Sequence, residues 1–387
     1  MVDISEFDAD TKKSLGSVEV TAEGGELQTG ERSAPIVLAS DWNSVLEGFG
    51  LDPAVFFIVD DTVRMSKWQQ SKRLDNGDRD IIWLYSYRAR FARKPYTATP
   101  LDVERLQKKI DRWKPRSTTT VKTDGDPSTF VICWADWQLG KSAGGGVEAT
   151  VERIQASFSA SALRIKQLRK QGRNIEKIAI LNMGDPLEGC DGNYASQLFS
   201  VELNQRAQLN LALDLWTQGI SALQPDIFAS VLCNHGEWKR NGGAKSVTTD
   251  SDNSGGFLGD TIKRTFKDWK MEWHIAHDEM VQMVNLSGVE VGLTHGHKIV
   301  GKEFEWLRGQ NQRFYSTVGK MPRLWVTAHV HHAAIEDFGP FWRIQCPSND
   351  GGSKWFTDMT GKWSTSGTMT FLAGNHDPRG FSDAEVL

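Results

Sequence analysis

The sequence predicts an α/β fold, because short apolar runs alternate with stretches of helical spacing from about residue 127 onward, and five of those runs end in a residue able to bind a metal. A small α+β module is expected before it, marked by a rise in aromatic residues between 36 and 95. With 387 residues and 39% apolar side chains, the chain can build one large core and a second, smaller one.

Residues 1–35 are polar, acidic and poor in aromatics, so a disordered lead-in is expected there. The module at 36–95 carries Trp42, Phe49, Phe56, Phe57, Trp68, Trp83, Tyr85, Tyr87 and Phe91, and its run Ile81–Tyr87 has the composition of a strand. Arg64, Lys67, Lys72, Arg73, Arg79, Arg88, Arg90, Arg93 and Lys94 are interleaved with these rings. That mixture suits a surface for single-stranded nucleic acid, and equally an ordinary small core with solvated charges. Residues 96–126 read as a helix and a linker: Leu101, Val103, Leu106 and Ile110 have helical spacing, and the stretch from Lys114 to Pro127 is rich in Thr, Pro and Gly. The large domain is then expected over 127–375 and a C-terminal tail over 376–387.

Within the large domain the strand candidates are Thr129–Ala135, Ile175–Met183, Ile227–Cys233, Val289–Thr294 and Leu324–Ala328, with a final strand at Thr368–Ala373. The helix candidates are Gly146–Gln171, Gln197–Ala222 and Gly256–Asp268. Gly144-Gly145-Gly146 lacks the Lys-Ser/Thr ending of a P-loop and the spacing of a dinucleotide-binding turn, so it reads as a flexible loop.

Bulk properties exclude several classes. The net charge of −4 gives no overall drive toward nucleic acid. No apolar run reaches 18 residues and no basic start leads into an apolar stretch, so no membrane span or secretory signal is expected and the location is read as cytoplasmic. Cys133, Cys190, Cys233 and Cys346 form no CxxC pair, which argues against a structural zinc site or a disulfide framework. All nine histidines follow residue 234, and five of them lie between His295 and His332. Such clustering points to a site.

The five strand ends define it. Thr129–Ala135 runs into Asp136-Trp137-Gln138, and Ile175–Met183 into Gly184-Asp185. Ile227–Cys233 ends at Asn234-His235, Val289–Thr294 at His295-Gly296-His297, and Leu324–Ala328 at His329-Val330-His331. In open α/β sheets, sites form beyond the carboxyl ends of strands, where loops converge. These strands deliver oxygen and nitrogen donors to one edge.

In this order the blocks resemble the calcineurin-like metallophosphoesterases, whose pattern is Asp-x-His, Gly-Asp, Gly-Asn-His-Asp/Glu, a lone His and Gly-His-x-His. Each block alone is common; five in order, each after a strand, are specific. The resemblance covers residues 129 to about 335 and implies a two-sheet sandwich flanked by helices, with two divalent metals at one edge. Asp136, Gln138 and His331 would hold one metal, while Asn234, His295 and His329 would hold the other. Asp185 would bridge them, since two cations ~3.5–4 Å apart need a shared carboxylate to offset their repulsion. His235 would stabilise or protonate the leaving group, and a water between the metals would be the nucleophile. Lys141, Lys239, Arg240 and His297 follow the blocks closely and are candidate substrate contacts.

The sequence departs from the family pattern in three places, the last of them a small-for-small change of little consequence. Gln138 replaces the first histidine, a weaker donor that favours Mn²⁺ or Mg²⁺ over zinc at that position, with Mn²⁺ the first expectation and Mg²⁺, Fe²⁺ or Zn²⁺ as alternatives. The third block reads Cys233-Asn234-His235-Gly236-Glu237, which moves the acidic partner of His235 to Glu237. Ala328 stands where the family has Gly. Gly374-Asn375-His376-Asp377 matches the third block better than Asn234-His235 does, but it falls after His-x-His and reads as a turn. Within that family an SbcD-like DNA nuclease, of the kind phages also encode, is favoured by the cytoplasmic location, the basic aromatic module upstream and the long spacings between blocks. That reading implies DNA as substrate and an ATPase partner subunit. The alternatives are a phosphatase or phosphodiesterase acting on a small nucleotide or phosphoprotein, and a weakly metal-binding scaffold without catalysis.

Overall fold

A computed structural model of the chain describes residues 16–21, 24–73, 79–94, 100–113, 125–190, 193, 197, 200–238, 249–352, 361 and 364–387. It divides into two compact units, residues 1–97 with 194–199, and the remainder.

The described residues of the N-terminal unit form an antiparallel sheet with one α-helix. Its elements are β1 (Gly16–Thr21), β2 (Gly24–Thr29), α1 (Ala39–Gly48), β3 (Phe56–Ile58), β4 (Arg64–Arg73) and β5 (Arg79–Arg93). The long β5 pairs with β4 along its first part and with β2 and β3 along its second. Leu27, Val45, Leu46, Leu51, Ile58, Ala89 and Phe91 form the core. The β1–β2 hairpin stands where the composition predicts a disordered lead-in. The reason is visible in β2: Leu27 and Thr29 face inward, while Glu26 faces water and pairs with Arg88 of β5. One polar strand face hid the alternation. Residues 1–15 of the expected lead-in lie outside the described residues.

The larger unit begins with α2 (Pro100–Arg112), followed by β6 (Ser128–Trp134), α3 (Gly146–Lys170), β7 (Ile175–Asn182), α4 (Gln205–Leu223), β8 (Ile227–Ser230), α5 (Ser254–Thr265) and β9 (Glu272–Ile275). There follow β10 (Gln282–Leu286), β11 (Val289–Leu293), α6 (Glu303–Val318), β12 (Leu324–Thr327), β13 (Ala334–Asp337), β14 (Trp342–Gln345), β15 (Met369–Ala373) and β16 (Phe381–Val386). One sheet has the order β16-β15-β6-β7-β8-β9 and the other β10-β11-β12-β14-β13. Within them β6 to β9 run parallel, as do β11, β12 and β14.

Strand β6 shows why the layers stack as they do. Phe130, Ile132 and Trp134 join the core beneath the helices, while Val131, Cys133 and Ala135 join the core between the two sheets. A strand buried on both faces reads as one continuous apolar run. Leu307 of α6 packs with Trp325 and Phe341 on the outer face of the second sheet. The expected two-sheet sandwich flanked by helices is therefore the observed fold.

Two expected boundaries move. Helix α2 belongs to the large unit, because Ile110 enters its core, Trp113 meets Phe158 edge-on at 6.0 Å, and Lys109 pairs with Glu148 and Glu152 of α3. The expected tail carries β16, which pairs with β15 and buries Phe381. Helix α4 starts at Gln205, later than expected, where the Asn204 side chain accepts from the Ala207 N–H at 3.0 Å and caps it. No helix among the described residues is long and apolar enough to cross a membrane.

Candidate metal centre

All five sequence blocks lie just beyond the carboxyl ends of parallel strands, after β6, β7, β8, β11 and β12. The chain turns sharply there. Asp136, Gln138, Asp185, His329 and His331 have φ between 43° and 75°, in the left-handed region, and are five of the eight non-glycine residues with positive φ among the described residues. Backbone held this way costs on the order of 1–3 kcal/mol per residue and collects at functional sites. Gly184 allows the closest approach: at φ 101°, a Cβ there would lie 2.6 Å from Nδ1 of His295.

Asp185, His295 and Asn234 converge on one point. Nε2 of His295 lies 3.0 Å from Asp185 Oδ2 and 3.0 Å from Asn234 Oδ1. Its Nδ1 is 2.8 Å from the Met183 carbonyl and donates the ring N–H to it, which leaves Nε2 as the ring nitrogen facing the two oxygens. Asp185 Oδ2 and, nearby, Asp136 Oδ1 are buried without an aligned donor. Each aspartate's other oxygen is satisfied by the backbone: Asp185 Oδ1 accepts from the His235 N–H and Asp136 Oδ2 from the His329 N–H, both at 3.0 Å. His329 completes the group, and ligand atoms of Asp185, His295 and His329 lie within 4.8 Å of one another. A carboxylate, an amide oxygen and two imidazoles brought this close together fit a divalent cation.

The electrostatics agree. Burial opposes ionisation of Asp185, but the charges on His295 and His235 hold its carboxyl well below the usual range. Burial likewise opposes a charged His295, yet Asp185 and Asp136 raise it to about 9 in the metal-free protein, where a proton takes a cation's place. His329 is lowered to about 4 by burial and by the charge on His295, which leaves it a neutral donor.

The set expected around a second metal is built differently. Nε2 of His331 lies 3.4 Å from Asp136 Oδ1, as two ligands of one ion would. Gln138 departs from the expectation. Its Oε1 accepts from Nζ of Lys141 at 2.9 Å, and its amide nitrogen lies 3.3 Å from His331 Nε2 and 3.5 Å from His235 Nε2. An ammonium group has no acceptor, so the carbonyl end must face Lys141 and the NH₂ end must face the site. A metal there would meet amide hydrogens. Lys141 is itself buried and paired with Asp350, which corrects its expected role as a substrate contact.

Asp350, which follows β14, was not singled out by the sequence. Its Oδ2 lies 3.4 Å from Nδ1 of His331 and also accepts from Lys141. Burial opposes its charge, and His331 and Lys141 outweigh that and keep it ionised. His331 is in turn raised to about 10, against burial, by Asp136 and Asp350.

His235 is held by its backbone N–H on Asp185 and by Nδ1, which donates to the Glu188 carbonyl at 2.7 Å. That turns Nε2 toward Gln138 and the site. Glu237, the expected orienting acid, instead pairs with Lys298 at 3.2 Å and lies 4.0 Å from His297. His297 is brought into the group, its ring 5.4 Å from that of His295, and is lowered to about 3 by burial and by His295. Neither of its buried ring nitrogens has a hydrogen-bond partner. Lys239 and Arg240 lie outside the described residues. Gly374–Asp377 is a turn, as expected, and Ala373 before it pairs with Thr129 at the start of β6, the end of the strand away from Asp136. His274 pairs with Glu272 outside the centre.

Neither a protein-family model nor a curated protein sequence matches this chain. Among solved structures it is similar to Vps29 complexed with zinc from Entamoeba histolytica (10% identity, TM-score 0.32, covering 67% of this chain and 98% of that one). It is also similar to an archaeal phosphodiesterase (10% identity, TM-score 0.29, 67% and 99%). A third is a predicted phosphoesterase from Streptococcus pneumoniae (8% identity, TM-score 0.27, 70% and 100%). Likeness at this level assigns no role to any residue; the side-chain geometry has to do that.

Proposed function

We propose that this chain is a metal-dependent phosphoester hydrolase acting on phosphodiesters, with DNA as the substrate class. The observation that carries the hydrolase reading is the position of His295 Nε2, 3.0 Å from both Asp185 Oδ2 and Asn234 Oδ1. Together with His329 they would hold a divalent cation, which supplies Lewis-acid polarisation of a phosphoryl oxygen when bound. Such a mixed oxygen and nitrogen set takes Mn²⁺, Fe²⁺ or Zn²⁺, and Mn²⁺ is the ion proposed.

The remaining groups have complementary tasks. His235, its ring fixed by the Glu188 carbonyl, faces the site with Nε2 and transfers a proton to the leaving oxygen. The Gln138 NH₂ donates toward the same space. Neutral His297, buried beside His295, offers a nitrogen to a substrate oxygen.

The preference for DNA rests on the N-terminal unit. Opposed residues of β4 and β5 put Lys67, Gln69, Trp83 and Tyr85 on one side of the hairpin, with Nζ of Lys67 4.1 Å from the Trp83 ring centroid. Trp83, Ile81 and Met65 are exposed there. An exposed ring beside a cation suits stacking of an unpaired base next to a phosphate.

The test is Mn²⁺-dependent turnover of end-labelled single- and double-stranded DNA, of a bis(nitrophenyl) phosphate and of a phosphomonoester dye, with Asp185→Asn in parallel. Cleavage of DNA and of the diester, absent in the variant, is expected. Monoester turnover alone would replace DNA with a small phosphorylated substrate. No turnover of any of them would sink the hydrolase reading.

A further inference from the structure

The two halves of the centre differ in what they offer a cation, and that difference decides how many cations it holds. Around Asp185, Asn234, His295 and His329 every inward atom is a lone-pair donor. Around Asp136 and His331 the third inward group is the NH₂ of Gln138, and its orientation is enforced. Lys141 must donate to the Gln138 carbonyl oxygen. Turning the amide over would set its NH₂ against the ammonium and leave a buried cation short of an acceptor. Asp350 anchors Lys141 from the far side, and the same Asp350 oxygen lies 3.4 Å from His331 Nδ1.

We propose that the chain binds one divalent cation, at Asp185, Asn234, His295 and His329, and that Lys141 acting through Gln138 supplies the second positive pole of the site. The ammonium draws density from the amide oxygen, which makes the amide hydrogens better donors toward a phosphoryl oxygen. Gln138 is the group that would touch substrate; Lys141 is a positioning residue that fixes the amide's direction and strengthens its dipole. The proposal rests on the hydrolase reading above, and it differs from the expectation of two metals in that a fixed charge of the protein replaces one of them.

The ion count of the full chain tests it without reference to turnover. Wild type and Gln138→Glu would be saturated with Mn²⁺, freed of loose metal and compared by native mass spectrometry and elemental analysis, with electron paramagnetic resonance as a second readout. Gln138→Glu keeps the contact with Lys141 and exchanges the inward NH₂ for an oxygen. Wild type is expected to hold one ion with a mononuclear spectrum, and the variant two with a spin-coupled spectrum. The spin-coupled spectrum is what separates an ion paired at the centre from one held loosely by a misfolded chain. Two ions in wild type would overturn the proposal and leave the hydrolase reading standing. A variant that folds with one ion would overturn it too, because the amide hydrogens would then not be what excludes the second. No ion in wild type would overturn both readings. If the variant does not fold, wild type decides alone.

Discussion

Asp185→Asn should abolish metal-dependent stabilisation while leaving the fold intact. In the native protein Oδ1 of Asp185 accepts the His235 N–H, and Oδ2 faces His295 Nε2 and Asn234 Oδ1. The substituted amide can keep the first bond through its oxygen. Its NH₂ then points at the two acceptors and can donate to both, at about 1 kcal/mol net for each bond. That offsets the lost attraction between Asp185 and His295, so the metal-free variant should lie within ~2 kcal/mol of metal-free wild type. The same NH₂ fills the place of the cation and removes the only carboxylate among its ligands. Wild type at a Mn²⁺ concentration 100 times its Kd gains about 2.7 kcal/mol. At ~2–4 °C per kcal/mol for a unit of this size, that raises Tm by about 5–10 °C. Differential scanning calorimetry with Mn²⁺ and with EDTA measures this. The variant should melt near metal-free wild type and not respond to Mn²⁺. An equal rise in both proteins would place the metal elsewhere and refute the reasoning.

Three further outcomes are expected. His235→Ala should lower kcat by ~10²–10⁴-fold and retain Mn²⁺ binding, with a larger loss for a poor leaving group than for a nitrophenolate, since a good leaving group needs no proton; equal losses on both would remove the proton-donor role. Mn²⁺ affinity should rise by up to about tenfold per pH unit as pH rises toward 9, because His295, raised to about 9, must give up its proton to the metal. The same proton stabilises the metal-free fold: its contribution is complete below the ordinary value of 6.5 and lost as pH rises through about 9, which calorimetry in EDTA would follow. Trp83→Ala should weaken binding of single-stranded DNA by about 5- to 150-fold, the loss of one stacked base, and leave the Mn²⁺ response unchanged, as read by fluorescence anisotropy.

The sandwich and its ligand edge were legible because each strand is apolar on both faces and stops at a polar donor. The rest was hidden for definite reasons. Asp350 is 209 residues from Lys141, and the strand before it is only four residues long and interrupted by Arg343. No local pattern could pair the two. Gln138 lies beside Asp136 in the sequence, but which end of its amide faces inward depends on a neighbour in space, here Lys141. Glu188 displaced Glu237 as the support of His235 because the donor is the ring Nδ1 and the acceptor a backbone carbonyl, which any residue supplies. Helix α6 was missed, since its one strongly buried apolar side chain is Leu307 and its outward side carries a mixture that masks the period. The β1–β2 hairpin was missed for a similar reason.

One arrangement recurs at the two aspartates and explains why the strained turns are kept. Asp136 follows β6 of the first sheet, and the N–H it accepts belongs to His329, which follows β12 of the second. Asp185 follows β7, and its N–H comes from His235, beyond the neighbouring strand β8. In each case a backbone N–H from another strand end fixes one carboxylate oxygen and leaves the other bare toward the centre. A side-chain donor could do the same, but it would add rotamers to be frozen and could swing onto the inner oxygen. The left-handed turns at Asp136, Asp185 and His329 give up local backbone energy for direction. The Asp136–His329 bond also links the two sheets at their ligand edge, so the position of that bare oxygen is set by the packing of the core between them.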